Sequence, residues 1–181
     1  MDKKKYYQMN LNFKSLKTRQ LKINDIQEIC KLKNTFWNFS LKNQINWFNK
    51  NIKKNDIHNC LYIDKKLIGY TALRKGYYIF KKKNFLSKRN FLLFETLIIA
   101  KKYRDFSIGK MLMNFNNMII DKHNQPSFLI CKSRLIKFYS KFNWVKISKK
   151  DFNTEYKTFN CSGMTYKLNT LKNSKVNFNI Y

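Results

Sequence analysis

The sequence predicts a single α/β domain of 181 residues, in which helices flank a mixed β-sheet. Three observations predict this class. Segments with helical spacing of apolar residues alternate along the chain with short runs of strand character. The long apolar run at residues 91–99 suits a central strand that is covered on both faces, and the strongest helical pattern follows it. No internal repeat or long linker divides the chain.

The first part of the chain predicts a lead-in, a strand and two helices. Residues 1–16 are polar and basic, which is typical of a flexible lead-in or an edge strand, and Lys17–Ile23 alternates weakly like a first strand. Asn24 is predicted to cap the first helix, with Gln27 in the capping-box position. Ser40 is predicted to cap a second helix.

The remaining elements are read from the same periodicities. Cys60–Ile63 and Leu67–Leu73 predict a β-hairpin around a turn at Asp64–Lys66. Further strands are expected at 91–99, 127–131, 144–147 and 163–168, further helices from Ile108 to before Gln125–Pro126 and at 135–142, and a charged loop at 81–84. The predicted organisation is therefore a basic lead-in at 1–16, a folded domain at 17–168 and a polar, loose tail at 169–181.

The net charge of +28, from 38 Lys and Arg against 10 Asp and Glu, suggests nucleic acid or another polyanion as a partner. However, only five of the basic residues are Arg, the residue that nucleic-acid readers favour. The chain is also rich in Asn, Ile, Phe and Tyr and holds 4 Gly and 1 Pro, a bias toward residues with A/T-rich codons. We therefore favour codon drift over a nucleic-acid partner as the source of the charge.

The cysteines and histidines do not predict a metal site. Cys30, Cys60, Cys131 and Cys161 are far apart and lie in or beside apolar runs, as reduced, buried thiols of a cytoplasmic protein do. His58 and His123 stand in polar surroundings and are predicted to be ordinary surface or loop residues. Neither a membrane-spanning run nor a signal peptide is expected, and no membrane partner is predicted.

The loop at 104–109 is the segment most informative about chemistry. It follows the strand at 91–99 and precedes the helix from Ile108, and a helix N-terminus presents unpaired N–H groups that bind phosphate. Ser107 and Gly109 are small, so a pyrophosphate could approach the backbone closely. No GKS or GKT follows, so the loop is not a Walker loop.

Leu97–Leu112, with Arg104 and Gly109 at the defining positions, resembles the coenzyme A motif of the GNAT superfamily of acyl-CoA N-acyltransferases. In that motif a β-strand leads into R/Q-x-x-G-x-G/A and a helix. Ser107 replaces the first Gly, so the match requires that residue 107 needs no positive φ.

Phe138–Trp144 resembles a second segment of the same family, FYEKxGF/W. Asn143 stands at the usual Gly, and Asn tolerates a left-handed helix end. The order of predicted elements over residues 17–168 also agrees with the family. The resemblance implies the GNAT fold, with a mixed sheet of about six to seven strands.

The resemblance also implies an acyl-CoA site without a metal. The pantetheine would pair with the backbone of Leu97–Ile99, and the pyrophosphate would lie on the N–H groups of residues 104–109. The implied cofactor-binding residues are Leu97, Ile98, Ile99, Arg104, Asp105, Phe106, Ser107, Ile108, Gly109 and Lys110.

Two catalytic residues are implied by family position. Tyr139 is the candidate acid for the departing thiolate, and Glu95 is the candidate base that acts through water. The alternatives are a core tyrosine at 139 and a buried structural carboxylate at 95 that is paired with one of the many lysines. The family builds its acceptor pocket near the predicted first helices, where most of the aromatic side chains are expected in the core and one or two in the pocket; they are Phe36, Trp37, Phe39, Trp47 and Phe48.

The function that follows is direct transfer of an acetyl group from acetyl-CoA to a primary amine, first of all on a small metabolite or amino sugar. A protein N-terminus or lysine is the next acceptor. An inactive module with this scaffold that binds RNA or another polyanion is the rival from a different class. A serine or cysteine hydrolase is excluded because no nucleophile elbow with a serving His is present. The oligomeric state stays open, with a homodimer among the alternatives.

Overall fold

The computed structural model describes residues 10–82, 85–104, 107–154, 161–168 and 176–180, which form nine strands and four α-helices. The strands are β1 (Leu11–Lys17), β2 (Ile57–Ile63), β3 (Lys66–Lys82), β4 (Phe85–Ile99), β5 (Ser127–Lys132), β6 (Val145–Ile147), β7 (Phe152–Thr154), β8 (Cys161–Tyr166) and β9 (Val176–Ile180). The helices are α1 (Ile23–Asn34), α2 (Leu41–Asn51), α3 (Ile108–His123) and α4 (Ile136–Ser140). The β4–β5 and β7–β9 pairs are parallel, whereas β1–β2, β3–β9, β5–β8 and β6–β8 are antiparallel. The mixed sheet expected from the sequence is therefore confirmed.

The chain forms two compact units, each made of two segments. The first unit contains Met1–Ala72 and Thr96–Asn116, and the second contains Leu73–Glu95 and Asn117–Tyr181. Strands β3 and β4 and helix α3 each contribute residues to both units. None of the helices in the described part of the chain is long and apolar enough to cross a membrane.

In the first unit, the predicted hairpin is present and its turn has a clear backbone cause. Strand β2 is followed by Asp64 and Lys65, whose φ angles are 47° and 68°. Two successive left-handed residues are the signature of the two-residue turn that matches the twist of a hairpin. Strand β1 pairs with the other edge of β2, with Leu11 opposite Ile63 and Lys17 opposite Ile57.

Helices α1 and α2 pack on the strands of the first unit through an apolar cluster. Its buried members are Ile29, Cys30, Leu32, Phe48, Cys60, Leu67, Tyr70, Ala72 and Ile98. The predicted cap of α2 is confirmed, because Ser40 Oγ accepts a hydrogen bond of 3.3 Å from the Asn43 N–H. The predicted cap of α1 is wrong: Lys22 precedes the helix, and its N–H donates to Asp25 Oδ2 at 2.8 Å.

Several expected boundaries in the first half of the chain move. The first strand is β1 and not Lys17–Ile23, because a 3-10 turn at Thr18–Gln20 follows it directly. Strands β3 and β4 are longer than predicted. Lys81 and Lys82 therefore end a strand rather than lying in a charged loop, and Lys83–Asn84 lies outside the described residues.

The core of the second unit is aromatic. Its buried members are Tyr78, Phe80, Phe91, Leu93, Phe128, Phe152, Val176 and Phe178. Phe128 stacks on Phe178 with ring centroids 4.0 Å apart. Phe178 belongs to β9, which lies in the segment expected to be a loose tail. Strand β9 pairs with β3 and with β7. The expectation of a loose tail is therefore wrong for 176–180, where buried Val176 and Phe178 alternate with polar residues; residues 169–175 lie outside the described ranges.

His58 does not lie on the surface, contrary to the sequence expectation. It is 0% exposed on β2. Its Nδ1 lies 2.7 Å from Tyr70 Oη and its Nε2 lies 2.9 Å from Thr18 Oγ1. Desolvation by burial, helped by the positive charge of Lys33, lowers the pKa of His58 from 6.5 to about 4. The imidazole is therefore a neutral bridge between β2, β3 and the turn at Thr18.

This pKa predicts acid sensitivity of the fold. The pKa of His58 is lower in the folded protein than in the unfolded chain, so protonation of His58 favours unfolding. The contribution of neutral His58 to the free energy of unfolding is therefore complete above pH 6.5 and is lost as the pH falls from there toward 4. Titration of His58 should lower the free energy of unfolding by about 2 kcal/mol between pH 8 and pH 5. NMR titration of the two imidazoles measures the cause directly, and a midpoint for His58 near 6.5 would contradict the prediction.

The four cysteines are free thiols, as the sequence predicts. Cys30, Cys60 and Cys131 are buried, and Cys161 is half-buried. Burial raises the pKa of Cys60 to about 12 and that of Cys131 to about 11. These two thiols are therefore protonated and unreactive at neutral pH.

Candidate functional site

The last residues of β4 form the strand segment of the stretch that resembles a coenzyme A motif. Thr96 has a φ of 60°, which is rare for a β-branched residue and marks a local departure from extended strand geometry. Beyond it, Ile98 and Ile99 are both buried, the first in the cluster beneath α1 and α2 and the second in a cluster with Leu112 of α3. The prediction that this part of the strand is covered on both faces is confirmed.

The register between β4 and β5 is short. It pairs Leu92 with Ser127 and Leu93 with Phe128, whereas β4 continues to Ile99. Thr96 lies beyond these pairs, and Leu97–Ile99 takes no part in this register.

Arg104 is fixed at the end of this strand. Its side chain is exposed, its Nε donates to the Ile99 carbonyl at 3.0 Å, and its guanidinium carbon lies 5.8 Å from the ring centroid of Phe36. Within the described residues, this side chain makes no other hydrogen bond. Its two Nη groups therefore remain available to an anion.

Helix α3 begins directly after Ser107, whose carbonyl accepts from the N–H groups of Lys110 and Met111 at 2.9 and 3.1 Å. Further along α3, Asn116 Oδ1 accepts hydrogen bonds from Asn59 Nδ2 and Thr71 Oγ1, each at 2.8 Å. The first turn thus belongs to a helix that side-chain hydrogen bonds hold against β2 and β3. Asp105 and Phe106, the other predicted loop ligands, lie outside the described residues.

Ser107 has a φ of 57°, so the position does have the left-handed backbone that the match with the family motif was expected to avoid. Serine pays a conformational penalty there that glycine does not. Ser107 therefore holds a backbone conformation that glycine adopts more easily, at a cost in stability.

Ser107→Gly should relieve this penalty. Because Ser107 is exposed, no packing is lost, and the gain in folding free energy should be about 0.5–1 kcal/mol after the larger backbone entropy of unfolded Gly is subtracted. Thermal and urea unfolding measure it. Ser107→Ala is the matched control and should not be stabilised, and a Gly variant less stable than wild type would contradict the strain.

Gly109 faces open space. A Cβ built on it would meet no heavy atom within 4 Å, whereas a Cβ at Gly69, Gly76 or Gly163 would come within about 3 Å of a neighbour. The small residue at 109 is therefore not required by packing within the described residues. Its place in the first turn of α3 makes close approach of a ligand to the backbone the remaining physical reason for glycine.

Tyr139 lies on α4 in the second unit and is 7% exposed. Its ring packs against Phe94, Phe138 and Trp144 at centroid distances of 6.0, 5.2 and 6.4 Å. Within the described residues its hydroxyl makes no hydrogen bond, unlike most buried tyrosines. Burial, with a smaller contribution from Cys131, raises the pKa of Tyr139 above its usual value, so the phenol keeps its proton.

The turn after α4 matches the sequence expectation. Asn143 has a φ of 63°, which confirms that Asn occupies a left-handed position where the family has Gly. The following Trp144 donates from Nε1 to Asn117 Oδ1 at 3.1 Å, and Asn117 Nδ2 donates to the Phe142 carbonyl at 2.9 Å. The segment that carries Tyr139 is thereby fastened to α3 within the second unit.

Glu95 has the basic partner that the structural alternative required, although the partner is an arginine. Arg74 Nη1 on β3 lies 3.3 Å from Glu95 Oε2, and the two side chains are 8% and 24% exposed. The second carboxylate oxygen has no partner within the described residues. Glu95 is thus an ion-paired carboxylate with one oxygen left to accept a hydrogen bond.

The aromatic group near α1 and α2 divides between core and surface. Phe48 is buried and Trp37 is half-buried, whereas Phe36, Phe39 and Trp47 are exposed. The helical spacing places Phe36 and Trp37 on the first helix, but this prediction is wrong, because α1 ends at Asn34 and both residues follow it. The exposed members are therefore available to line a binding surface.

Two contacts of the site were not predicted from the sequence. Arg74 and Glu95 are 21 positions apart, and their pairing depends on how β3 and β4 align. Phe36 and Arg104 are 68 positions apart. An Arg directly after a predicted apolar hairpin strand was the available signal for the first. Nothing in the local sequence signals the second.

No protein-family model matches the chain, and no curated protein matches it in sequence. Solved structures do match. ElaA of Escherichia coli is 15% identical, with 87% of this chain and 99% of that chain covered at a TM-score of 0.64. The E. coli GNAT family N-acetyltransferase YhbS in complex with CoA is 12% identical, with 96% and 91% covered and a TM-score of 0.67.

A third match is Arabidopsis thaliana Naa50 in complex with the bisubstrate analogue CoA-Ac-MVNAL. It is 18% identical, with 86% of this chain and 97% of that chain covered and a TM-score of 0.55. At these identities the likeness concerns the fold, whose mixed sheet is described above. The chain has the GNAT, or acyl-CoA N-acyltransferase, fold.

Proposed function

We propose that the chain is an N-acyltransferase that transfers an acetyl group from acetyl-CoA directly to a primary amine. The observation that carries the proposal is the open space at Gly109 in the first turn of α3, directly after a motif strand and Arg104. Within the described residues, the N–H groups of Ile108 and Gly109 have no acceptor, so this arrangement combines N–H donors, a cation and open space for a diphosphate at one place.

The residues of the first unit suit the two parts of coenzyme A. The backbone of Leu97, Ile98 and Ile99 would pair with the pantetheine. The N–H groups of the first turn, with Ile108 buried beneath them and the exposed Lys110 beside them, would hold the pyrophosphate together with the Nη groups of Arg104. Asp105 and Phe106 complete the proposed loop on the basis of their sequence positions.

Bound acetyl-CoA supplies an activated thioester. The chain then has to remove one proton from the amine and to donate one proton to the departing thiolate. Tyr139 is proposed as the donor to the departing thiolate, since its phenol stays protonated and its hydroxyl is not engaged by the described core. Glu95 is proposed to take the proton of the amine through water. The ion pair with Arg74 holds the carboxylate in place and leaves one oxygen for this task.

The proposed acceptor is a small amine, such as an amino sugar or another metabolite. The net charge of +28 would repel basic peptides at low salt, and the exposed Phe36, Phe39 and Trp47 offer apolar surface to a neutral acceptor. A protein N-terminus is the alternative, because the Naa50 match carries an analogue that joins CoA to the peptide MVNAL.

Release of free thiol from acetyl-CoA, with the product identified by mass spectrometry, tests the proposal. The panel should contain glucosamine and other amino sugars, polyamines, lysine and the peptide Met-Val-Asn-Ala-Leu, with propionyl-CoA and longer acyl-CoAs as alternative donors. Transfer to an amino sugar or small amine is expected. Absence of transfer to every amine together with absence of coenzyme A binding would overturn the proposal, and transfer to the peptide alone would change the acceptor class.

A further inference from the structure

Arg104 is held by two partners, and only one of them belongs to the coenzyme A motif. Its Nε donates to the carbonyl of Ile99 at 3.0 Å. Its guanidinium also lies near the ring of Phe36, at 5.8 Å from the centroid, within the distance at which a cation and an aromatic face attract each other. Phe36 comes from the connection between α1 and α2, far from the motif in sequence.

The ring of Phe36 is itself fixed. Its backbone N–H donates to the Lys33 carbonyl at 3.1 Å, at the end of α1. Its other neighbour is Trp37, whose ring meets it edge-on with centroids 4.9 Å apart. A ring that is anchored at its backbone and flanked by a second aromatic can restrict the side chain that lies next to it.

Such restriction matters because an exposed Arg has many rotamers. A long side chain loses up to about 2 kcal/mol of rotamer entropy when it is immobilised. The bond to Ile99 uses Nε, and the face contact with Phe36 leaves the plane of the guanidinium free. The two Nη groups, which have no partner among the described residues, are therefore limited in the directions they can take, which favours a bidentate contact with phosphate.

We propose that Phe36 is a positioning residue that holds Arg104 ready for the pyrophosphate of coenzyme A. This inference rests on the proposed function. In this role Phe36 supports the coenzyme A site and is no longer counted among the aromatic residues of the acceptor pocket. Phe36 touches no ligand in this role and acts only through Arg104.

The test is a double-mutant cycle on coenzyme A affinity, measured by calorimetry. Phe36→Leu should weaken binding of coenzyme A about three-fold, the size expected for a cation–π contact at an exposed site. In an Arg104→Ala background the same change should have no effect, because the residue on which it acts is gone. Phe36→Trp should restore or exceed wild-type affinity, since Trp is the best partner for a guanidinium.

Controls separate this role from a structural one. Phe85→Leu changes another exposed aromatic, for which no contact with Arg104 is found, and should leave the affinity for coenzyme A unchanged. Phe36 is 57% exposed, so its replacement by Leu should leave the melting temperature near that of wild type. Dephospho-coenzyme A, which keeps the pyrophosphate and lacks the 3′-phosphate, should show the same three-fold effect.

The outcomes distinguish the two proposals. Wild-type affinity in Phe36→Leu, or an equal loss in the presence and absence of Arg104, would overturn the role of Phe36 and leave the proposed function intact. Failure of the wild-type protein itself to bind coenzyme A would overturn both.

Discussion

Tyr139→Phe is expected to lower turnover by about 100-fold or more, the usual contribution of a positioned acid, while the affinity for coenzyme A stays the same. The substitution removes one oxygen and one proton. The ring keeps its contacts with Phe94, Phe138 and Trp144. No hydrogen bond within the described residues is lost, so the fold should be as stable as before. Steady-state thiol release and calorimetry measure the two quantities.

Tyr166→Phe is the matched control for this prediction. Tyr166 is also buried in the second unit, but its hydroxyl donates to Asp121 Oδ2 at 3.3 Å. Its loss should cost a little stability and leave turnover near wild type. Unchanged turnover in Tyr139→Phe, or an equal loss of turnover in both variants, would contradict a catalytic role for Tyr139 and would favour the alternative of a core tyrosine.

Gly109→Ala should weaken coenzyme A binding by at least about ten-fold without weakening the fold. Apart from its chain neighbours and the backbone of its own helix, the added methyl group meets no heavy atom of the described residues within 4 Å, so it projects into the space proposed for the pyrophosphate. In the first turn of α3 alanine is a better helix former than glycine. The free energy of unfolding should therefore stay the same or rise by up to about 1 kcal/mol.

Gly76→Ala should show the opposite pattern. A Cβ there would collide with the Asn179 carbonyl oxygen and with the ring of Phe91, so the second unit should be destabilised by a buried clash. Coenzyme A binding by the fraction that remains folded should be unchanged. Wild-type affinity in Gly109→Ala would mean that no ligand group approaches this turn.

The elements that the sequence predicted well are those whose cause is local. Helix α3 follows from an apolar stripe at helical spacing, and the end of α4 follows from Asn143, which is suited to a φ of 63°. The hairpin at Asp64–Lys65 follows from two apolar runs separated by polar turn residues.

The elements that the sequence missed depend on distant partners. Strand β9 is short and polar at alternate positions, and it is stable because Val176 and Phe178 complete an aromatic core built from other strands. His58 looks like a surface residue until Tyr70 and Thr18 are brought to its two nitrogens. The role of Arg74 beside Glu95 likewise depends on strand register, which local periodicity does not specify.

Calorimetric titration of the purified protein with coenzyme A tests directly whether the chain binds coenzyme A at the first turn of α3. We expect one site per chain with a dissociation constant in the micromolar range, on the order of 1–100 μM. In Gly109→Ala the affinity for coenzyme A should be about ten-fold lower or weaker still. Absence of binding at about 1 mM coenzyme A, in a preparation that unfolds cooperatively, would contradict it.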